Sequence, residues 1–210
     1  MFDLWHFILF LSAAGVLALM PGPGIFYVAA RTLAGGRGEG LASSFGTGLG
    51  GFAHIIAGAI GVSAIVMASA EAFTALKIVG ALYLVYLGIK TWREAGAAPE
   101  LGNGPAMGAR RAFKEGVIVE ALNPKTAAFF LAFLPQFVVP AEGNVALQFI
   151  VLGTISVFLN TAVDVVVTYA AAAVRDRLAA RSAIIRRLRQ TSGGILVALG
   201  VTLALAKRPA

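Results

Sequence analysis

The side chains in this sequence that can do chemistry lie mostly inside apolar runs. Asp164 follows Asn160 by one helical turn in a long stretch of Val, Leu and Ala, His54 sits in "GFAHIIAGAI", and Glu120 and Lys125 flank the break in "EALNPKTAAFF". A carboxylate in hydrocarbon requires a cation, a proton or water. Asp164 therefore suits a substrate ammonium or a coupling proton, or else a structural pair with Lys125 or with an arginine at the end of its helix. Glu120 and His54 are proton-coupling candidates of the same kind, with a packed, hydrogen-bonded role as the other reading of His54. Asn123 before Pro124 is a good helix start, because Asn caps free N–H groups and Pro lacks one where it is not needed. A helix start of this kind carries partial positive charge, and Lys125 adds a full one, which together suit a carboxylate. The competing reading has Lys125 snorkelling to the membrane edge.

These residues need elements to hold them, and the composition says which kind. Of the 210 residues, 59% are hydrophobic and 13% are charged. The mean hydropathy is +0.85. Charges crowd into a few short stretches instead of spreading over exposed faces, which points to membrane helices. The net charge of +7 lies beside apolar segments with no nucleic-acid reading motif, so loops at a membrane surface account for it and no nucleic-acid partner is expected. The absence of cysteine excludes disulfides and thiolate metal sites. With His6 and His54 far apart, no metal and no cofactor is expected. No nucleophile or phosphate-binding pattern appears, so an enzyme is not expected. The first apolar run lacks a basic leader and a convincing cleavage site and reads as a retained helix.

About 20 apolar residues span the hydrocarbon core, and six segments meet or approach that length: Leu4 to Leu33, Leu41 to Ala68, Phe73 to Trp92, Gly116 to Val138, Val145 to Val174, and Thr191 to Ala206. The expected fold is all-α, with a first three-helix repeat at 1–98, a cytoplasmic loop at 99–114 and a second three-helix repeat at 115–210. Most Lys and Arg flank alternate loops: Arg31 and Arg37; Lys90, Arg93, Arg110, Arg111 and Lys114; and Arg175, Arg177, Arg181, Arg186, Arg187 and Arg189. Counted by the positive-inside rule, these loops are cytoplasmic and both termini face outward. A sixth segment that fails to span would put the C-terminus inside, which the charges also accept. The arginine-rich stretch from Arg175 to Arg189 is expected to lie on anionic lipid headgroups.

The two halves have opposite orientations, so a resemblance between them is an inverted repeat. Each half opens with a proline-interrupted helix, at Pro21-Gly22-Pro23-Gly24 and at Asn123-Pro124-Lys125, and "FGTGLGGF" lies opposite "LGTISVFL" further on. Pro and Gly free backbone groups in hydrocarbon, where they must find partners or line water. Matched interruptions near the midplane are the pattern of a secondary transporter's binding site. On this reading the substrate meets the backbone of Pro21 to Gly24 and the residues Asn123, Pro124, Lys125, Asn160 and Asp164. A Pro kink that only aids packing is the plainer alternative, and a membrane scaffold or channel, or a metal-ion exporter, the alternative functions.

The stretches "MPGPG", "GRGEGLASSFGTGLGGFAH", "LKIVGALYLVYLGIKTWR" and "EALNPKTAAFFLAFLPQFV" together resemble the lysine exporter and homoserine/threonine exporter (LysE/RhtB) family of bacterial inner-membrane amino-acid efflux proteins. The similarity covers nearly the whole chain. It implies six helices, often a dimer, and efflux of amino acids or close derivatives driven by the proton gradient. Pro21, Gly22 and Pro23 match its first motif, and Asn123, Pro124 and Lys125 its second. Where the family often has a polar residue such as Asn after the first motif, this chain has Gly24.

Overall fold

In the computed structural model, residues 4–69 and 105–174 are described continuously, with scattered positions between 71 and 93 and between 190 and 201. The expected helices Phe73 to Trp92 and Thr191 to Ala206, and the arginine-rich stretch, fall largely outside the described residues. All regular structure among the described residues is helical.

Helix α1 spans Leu4–Leu19 and ends where Pro21 withdraws an N–H and disfavours helical backbone at Met20. Gly22 is extended, and Pro23 then opens helix α2, Pro23–Ala68, at the position where a missing N–H costs least. The two prolines thus have separate tasks: Pro21 stops one helix and Pro23 starts the next. Within α2, Gly36 has a φ of 77°, a left-handed conformation suited to glycine. The chain reverses there. Thr32 Oγ1 abuts Gly40, although eight residues of straight helix would separate them by about 12 Å. The sequence expected two helices with a loop from 34 to 40; the structure makes that loop a sharp corner with helix on both sides.

Helix α3, Ala109–Ala121, is followed by Leu122 and Asn123, and helix α4, Pro124–Ala128, starts at Pro124 with the Asn123 side chain accepting the Lys125 N–H at 3.0 Å. The axes of the segments on either side of this break differ by 42°. α4 continues as a π-helical turn, Phe129–Phe133, and a 3-10 turn, Leu134–Phe137. The widening precedes Pro135, whose ring would clash with the Leu131 carbonyl of a regular helix. Gln148 then clamps the connection by donating to the Val139 carbonyl and accepting the Val139 N–H. Helix α5 spans Val145–Val174.

Neighbouring contacts give each element a direction. Phe10 packs on Phe137, Lys125 reaches Met20, and Tyr27 reaches Ala112, so the broken pair α1 and early α2 runs antiparallel to the broken pair α3 and α4. Gly40 lies against Thr168, Thr47 against Asp164 and Gly58 against Phe149, so the later arm of α2 runs antiparallel to α5. α2 leaves this bundle at the end opposite the one where α3 enters it.

Two helical stretches, 23–67 with its corner at Gly36 and 145–173, are by length and composition apolar enough to cross a membrane, and the bent α3–α4 pair is a third candidate. Leu49, Ile56, Ile60, Phe158 and Val166 are exposed, whereas Ser43, Ser44, Thr47, Glu120, Asp164 and Thr168 are buried. Polar residues inside and large apolar ones outside suit a lipid solvent. The apolar core, with Phe10, Phe130, Phe133, Phe149 and Leu152, fills the end away from Gly36.

Candidate functional site

The two helix breaks lie side by side, joined by groups from both. Lys125 reaches from the start of α4 across to the first break, where its ammonium donates to the Met20 carbonyl at 2.7 Å. That carbonyl is one of those which Pro21 and the end of α1 leave without a helical partner. The lysine stem passes over Gly22, where a Cβ would come within 2.8 Å of Lys125 Cδ. Gly24 sits equally close to Glu120, with its would-be Cβ 2.6 Å from Oε2. Pro21 to Gly24 thus leave room for two charged side chains from the other break, and they are absent from the lining of the nearby cavity.

Glu120 is only 2% exposed and occupies the last turn of α3. Its Oε2 accepts the Asn123 amide N–H at 2.9 Å and its Oε1 the Thr126 hydroxyl at 2.6 Å. Asn123 therefore binds in two directions, capping α4 with its oxygen and holding Glu120 with its nitrogen. The Glu120 backbone carbonyl accepts the Asn123 N–H at 3.0 Å and lies 2.8 Å from His54 Nε2. A carbonyl only accepts, so Nε2 carries the hydrogen. His54 also stacks on Phe130, with ring centroids 5.8 Å apart. Among the described residues it bonds to the end of a helix and not to a carboxylate.

A cavity of about 40 Å³ opens between these groups, with room for a few water molecules. Glu120, Lys125, Thr126, Thr47, Ser156 and Asn160 supply its polar wall, and α1 and the aromatic pair Phe129 and Phe130 its apolar wall. Among the residues singled out from the sequence, Glu120, Lys125 and Asn160 line it. Asp164 does not. It is 0% exposed and stands behind Thr47, whose hydroxyl lies 2.8 Å from Oδ2.

Sequence reasoning missed Thr47, Thr126 and Ser156. Thr47 lies in the "FGTGLGGF" stretch that marks the repeat, and Thr126 directly follows Lys125, so both had a positional signal. Ser156 lies in the opposing stretch "LGTISVFL" and shared that signal, but a Ser that back-bonds to the carbonyl four residues earlier, as here to Leu152, is ordinary in apolar helices and so did not stand out.

A second polar cluster closes the Gly36 end. Glu39 Oε1 accepts the N–H groups of Met107 and Gly108, each at 2.7 Å, and Arg31 donates to the Pro105 carbonyl at 3.4 Å. These bonds tie the corner of α2 to the entry of α3, away from the cavity.

No solved structure matches the chain. Among curated proteins it is 32% identical over 205 residues to an uncharacterized membrane protein of Vibrio cholerae, covering 98% of this chain and 99% of the relative. It is 32% identical over 208 residues to the homoserine/homoserine lactone efflux protein of Salmonella typhimurium, covering 97% of each, and 25% identical to the leucine efflux protein of an Enterobacter species over 73% of each. The LysE type translocator family matches residues 15–207, so nearly all of this chain, both helix breaks included, belongs to the LysE family.

Proposed function

We propose that this protein exports a small amino acid or amino-acid derivative across the bacterial inner membrane by proton-coupled antiport. The observation that carries the reading is the cavity beside the breaks, where one ammonium, Lys125, and one carboxylate, Glu120, line the same small space. A zwitterion presents the complementary pair. Lys125 has three donors and gives one to Met20, which leaves it free to meet a substrate carboxylate. Glu120 receives one hydrogen bond on each oxygen and retains lone pairs for a substrate ammonium. Thr47, Thr126, Ser156 and Asn160 supply hydroxyl and amide groups for the remainder of a short polar substrate. Asp164, set behind this wall, carries the coupling proton.

Alternating access follows from rocking the first three-helix repeat against the second about the paired breaks. The antiparallel packing of the two broken pairs, and of later α2 on α5, supports that symmetry. In this arrangement the Gly36 corner is cytoplasmic, both termini face outward, and the stretch from Arg175 to Arg189 rests on anionic lipids. The protein assembles as a homodimer, as the family resemblance implies.

Proteoliposomes containing the purified protein test the reading, with labelled homoserine as the first probe because a full-length relative is named for it. Transport is expected to accelerate with a pH gradient across the vesicle and to collapse when a protonophore removes the gradient. Growth screens against single amino acids and analogues, with and without overexpression, then rank other substrates. In Asp164→Asn, gradient-driven transport is expected to vanish with protein still in the membrane; unchanged transport removes Asp164 from the mechanism.

A further inference from the structure

We infer that Thr47 is the residue through which Asp164 takes up and gives up its proton. The inference rests on the proton-coupled reading above and deepens it.

The argument begins with one hydrogen and two acceptors. Thr47 Oγ1 lies 2.8 Å from the Ser44 carbonyl and 2.8 Å from Asp164 Oδ2. A hydroxyl has a single hydrogen, so it donates to one of them at a time. When Thr47 donates toward Ser44 or the cavity, its lone pair faces Oδ2, and that contact is a hydrogen bond only if Asp164 carries the proton and donates it. When Thr47 turns its hydrogen to Oδ2, the contact suits an ionised carboxylate. The Ser44 carbonyl tolerates the loss because it lies within α2, where the helical N–H four residues later also serves it. Oδ2 of this fully buried carboxyl group therefore has a hydrogen-bond partner in both protonation states, by rotation about one bond.

Position supplies the second part. Asp164 and Thr47 are both 0% exposed, but Thr47 lines the cavity and Asp164 does not. Among the described residues Asp164 Oδ1 has no hydrogen-bond partner, so Oδ2 and Thr47 form its hydrogen-bonded outlet. Among the described residues, the charged groups near Asp164 on neighbouring elements are Glu120 on α3 and Lys125 on α4. On its own helix the nearest polar groups are Asn160 and Thr161 one turn before it and Thr168 one turn after, the last 3.2 Å from Ser44 Oγ.

Release balances as follows. The Asp164 Oδ2–H bond breaks, Thr47 Oγ1 accepts that proton, and the hydrogen formerly on Thr47 passes to water in the cavity. The hydroxyl is left donating to the new carboxylate, which is the ionised arrangement already described. One proton leaves, one negative charge appears on Asp164, and Thr47 is unchanged in composition. Uptake reverses the steps.

Thr47→Val keeps the shape and removes the hydroxyl. In proteoliposomes with the same labelled probe, pH-gradient-driven transport is expected to fall by about tenfold or more, the factor of a lost hydrogen bond to a charged group. Substrate exchange at equal pH on both sides, which needs no net proton movement, is expected to fall much less than gradient-driven transport, by no more than the loss of one wall hydroxyl from the cavity explains. Thr47→Ser restores the gradient response. Infrared spectroscopy supplies a readout that does not require transport. The carboxylic-acid C=O band that disappears in Asp164→Asn is expected to move in Thr47→Val and to return in Thr47→Ser. Should Thr47→Val fail to reach the membrane, Thr47→Ala removes the hydroxyl without new bulk and takes its place.

An unmoved band together with a wild-type gradient response in the hydroxyl-free variant overturns the inference and leaves proton-coupled export standing. A wild-type protein that transports with no response to the gradient overturns the export reading and this inference with it.

Discussion

The breaks at Met20–Gly22 and at Leu122–Asn123 interrupt two antiparallel helices at the same level, yet they are built from opposite materials. The first contributes backbone only: a free carbonyl at Met20, and two glycines whose missing side chains make room. The second contributes side chains: Glu120, Asn123, Lys125 and Thr126 bond among themselves, and Lys125 reaches across. Neither break is complete without the other. The carbonyl of the first is met by the lysine of the second, and the carboxylate of the second fits only because the first has glycine opposite it. Under the proposed rocking of one repeat on the other these cross-bonds must be kept or traded, which would make the breaks a joint as well as a site.

That comparison can be broken at its strongest link first. Lys125→Met removes both the charge proposed to meet the substrate and the partner of the Met20 carbonyl. It is expected to abolish homoserine transport and to cost about 1–3 kcal/mol of stability through the unpaired carbonyl, read as a lower melting temperature in detergent. Lys125→Arg, if the ammonium serves only as a charge, restores function; the geometry over Gly22 leads us to expect that it does not, because a planar fork cannot follow the same path.

Gly24→Val probes the room that the first break leaves. Its side chain meets the Glu120 carboxylate, and overpacking of this kind is expected to cost about 1–3 kcal/mol and most of the transport rate. The double variant Gly24→Val with Glu120→Ala should recover the melting temperature but not transport. Recovery of neither shows that Gly24 matters for some reason other than Glu120.

Asn123→Ala removes a helix cap and a ligand of Glu120 together. A loss of about 0.5–2 kcal/mol is expected, with transport slowed and not abolished. Asn123→Asp keeps the cap but sets two carboxylates against each other, so it should transport worse than the alanine variant; the reverse order would show that the cap, and not the grip on Glu120, is what transport needs.

His54→Phe gives the smallest effect. The ring keeps its stacking on Phe130 and loses the hydrogen bond to the Glu120 carbonyl, which already receives the Asn123 N–H. A cost of about 1 kcal/mol is expected, with the pH response of transport retained. Loss of that pH response in His54→Phe would make the imidazole a proton carrier and shift the coupling role away from Asp164.

Much of the local architecture is legible from single positions. Pro21 and Pro23 end one helix and begin another because an imide has no N–H to give, and Asn123 caps α4 because its amide oxygen reaches the N–H two residues on. Gly36 was harder to read. It stands in a Gly-rich stretch where several glycines could turn the chain, and only the φ of 77° distinguishes it from Gly35 and Gly38. The π-helical turn before Pro135 was likewise hidden, since a proline in a helix permits a kink, a stop or a widening, and the packing of Phe129, Phe130 and Phe133 decides among them.

Taken by itself, the sequence determined that the chain is built of apolar helices, where two of them break, and which ionisable groups lie near the breaks, because each of these depends on local backbone chemistry or on transfer from water to lipid. Tertiary structure alone decided that Glu120 lines the cavity while Asp164 stands behind Thr47, and that Lys125 crosses to Met20. In a soluble helix the apolar stripe shows which face turns inward. In a lipid-facing helix both faces are apolar, so periodicity loses that information, and only the packing of α2 on α3 and α5 reveals which polar side chains share a space.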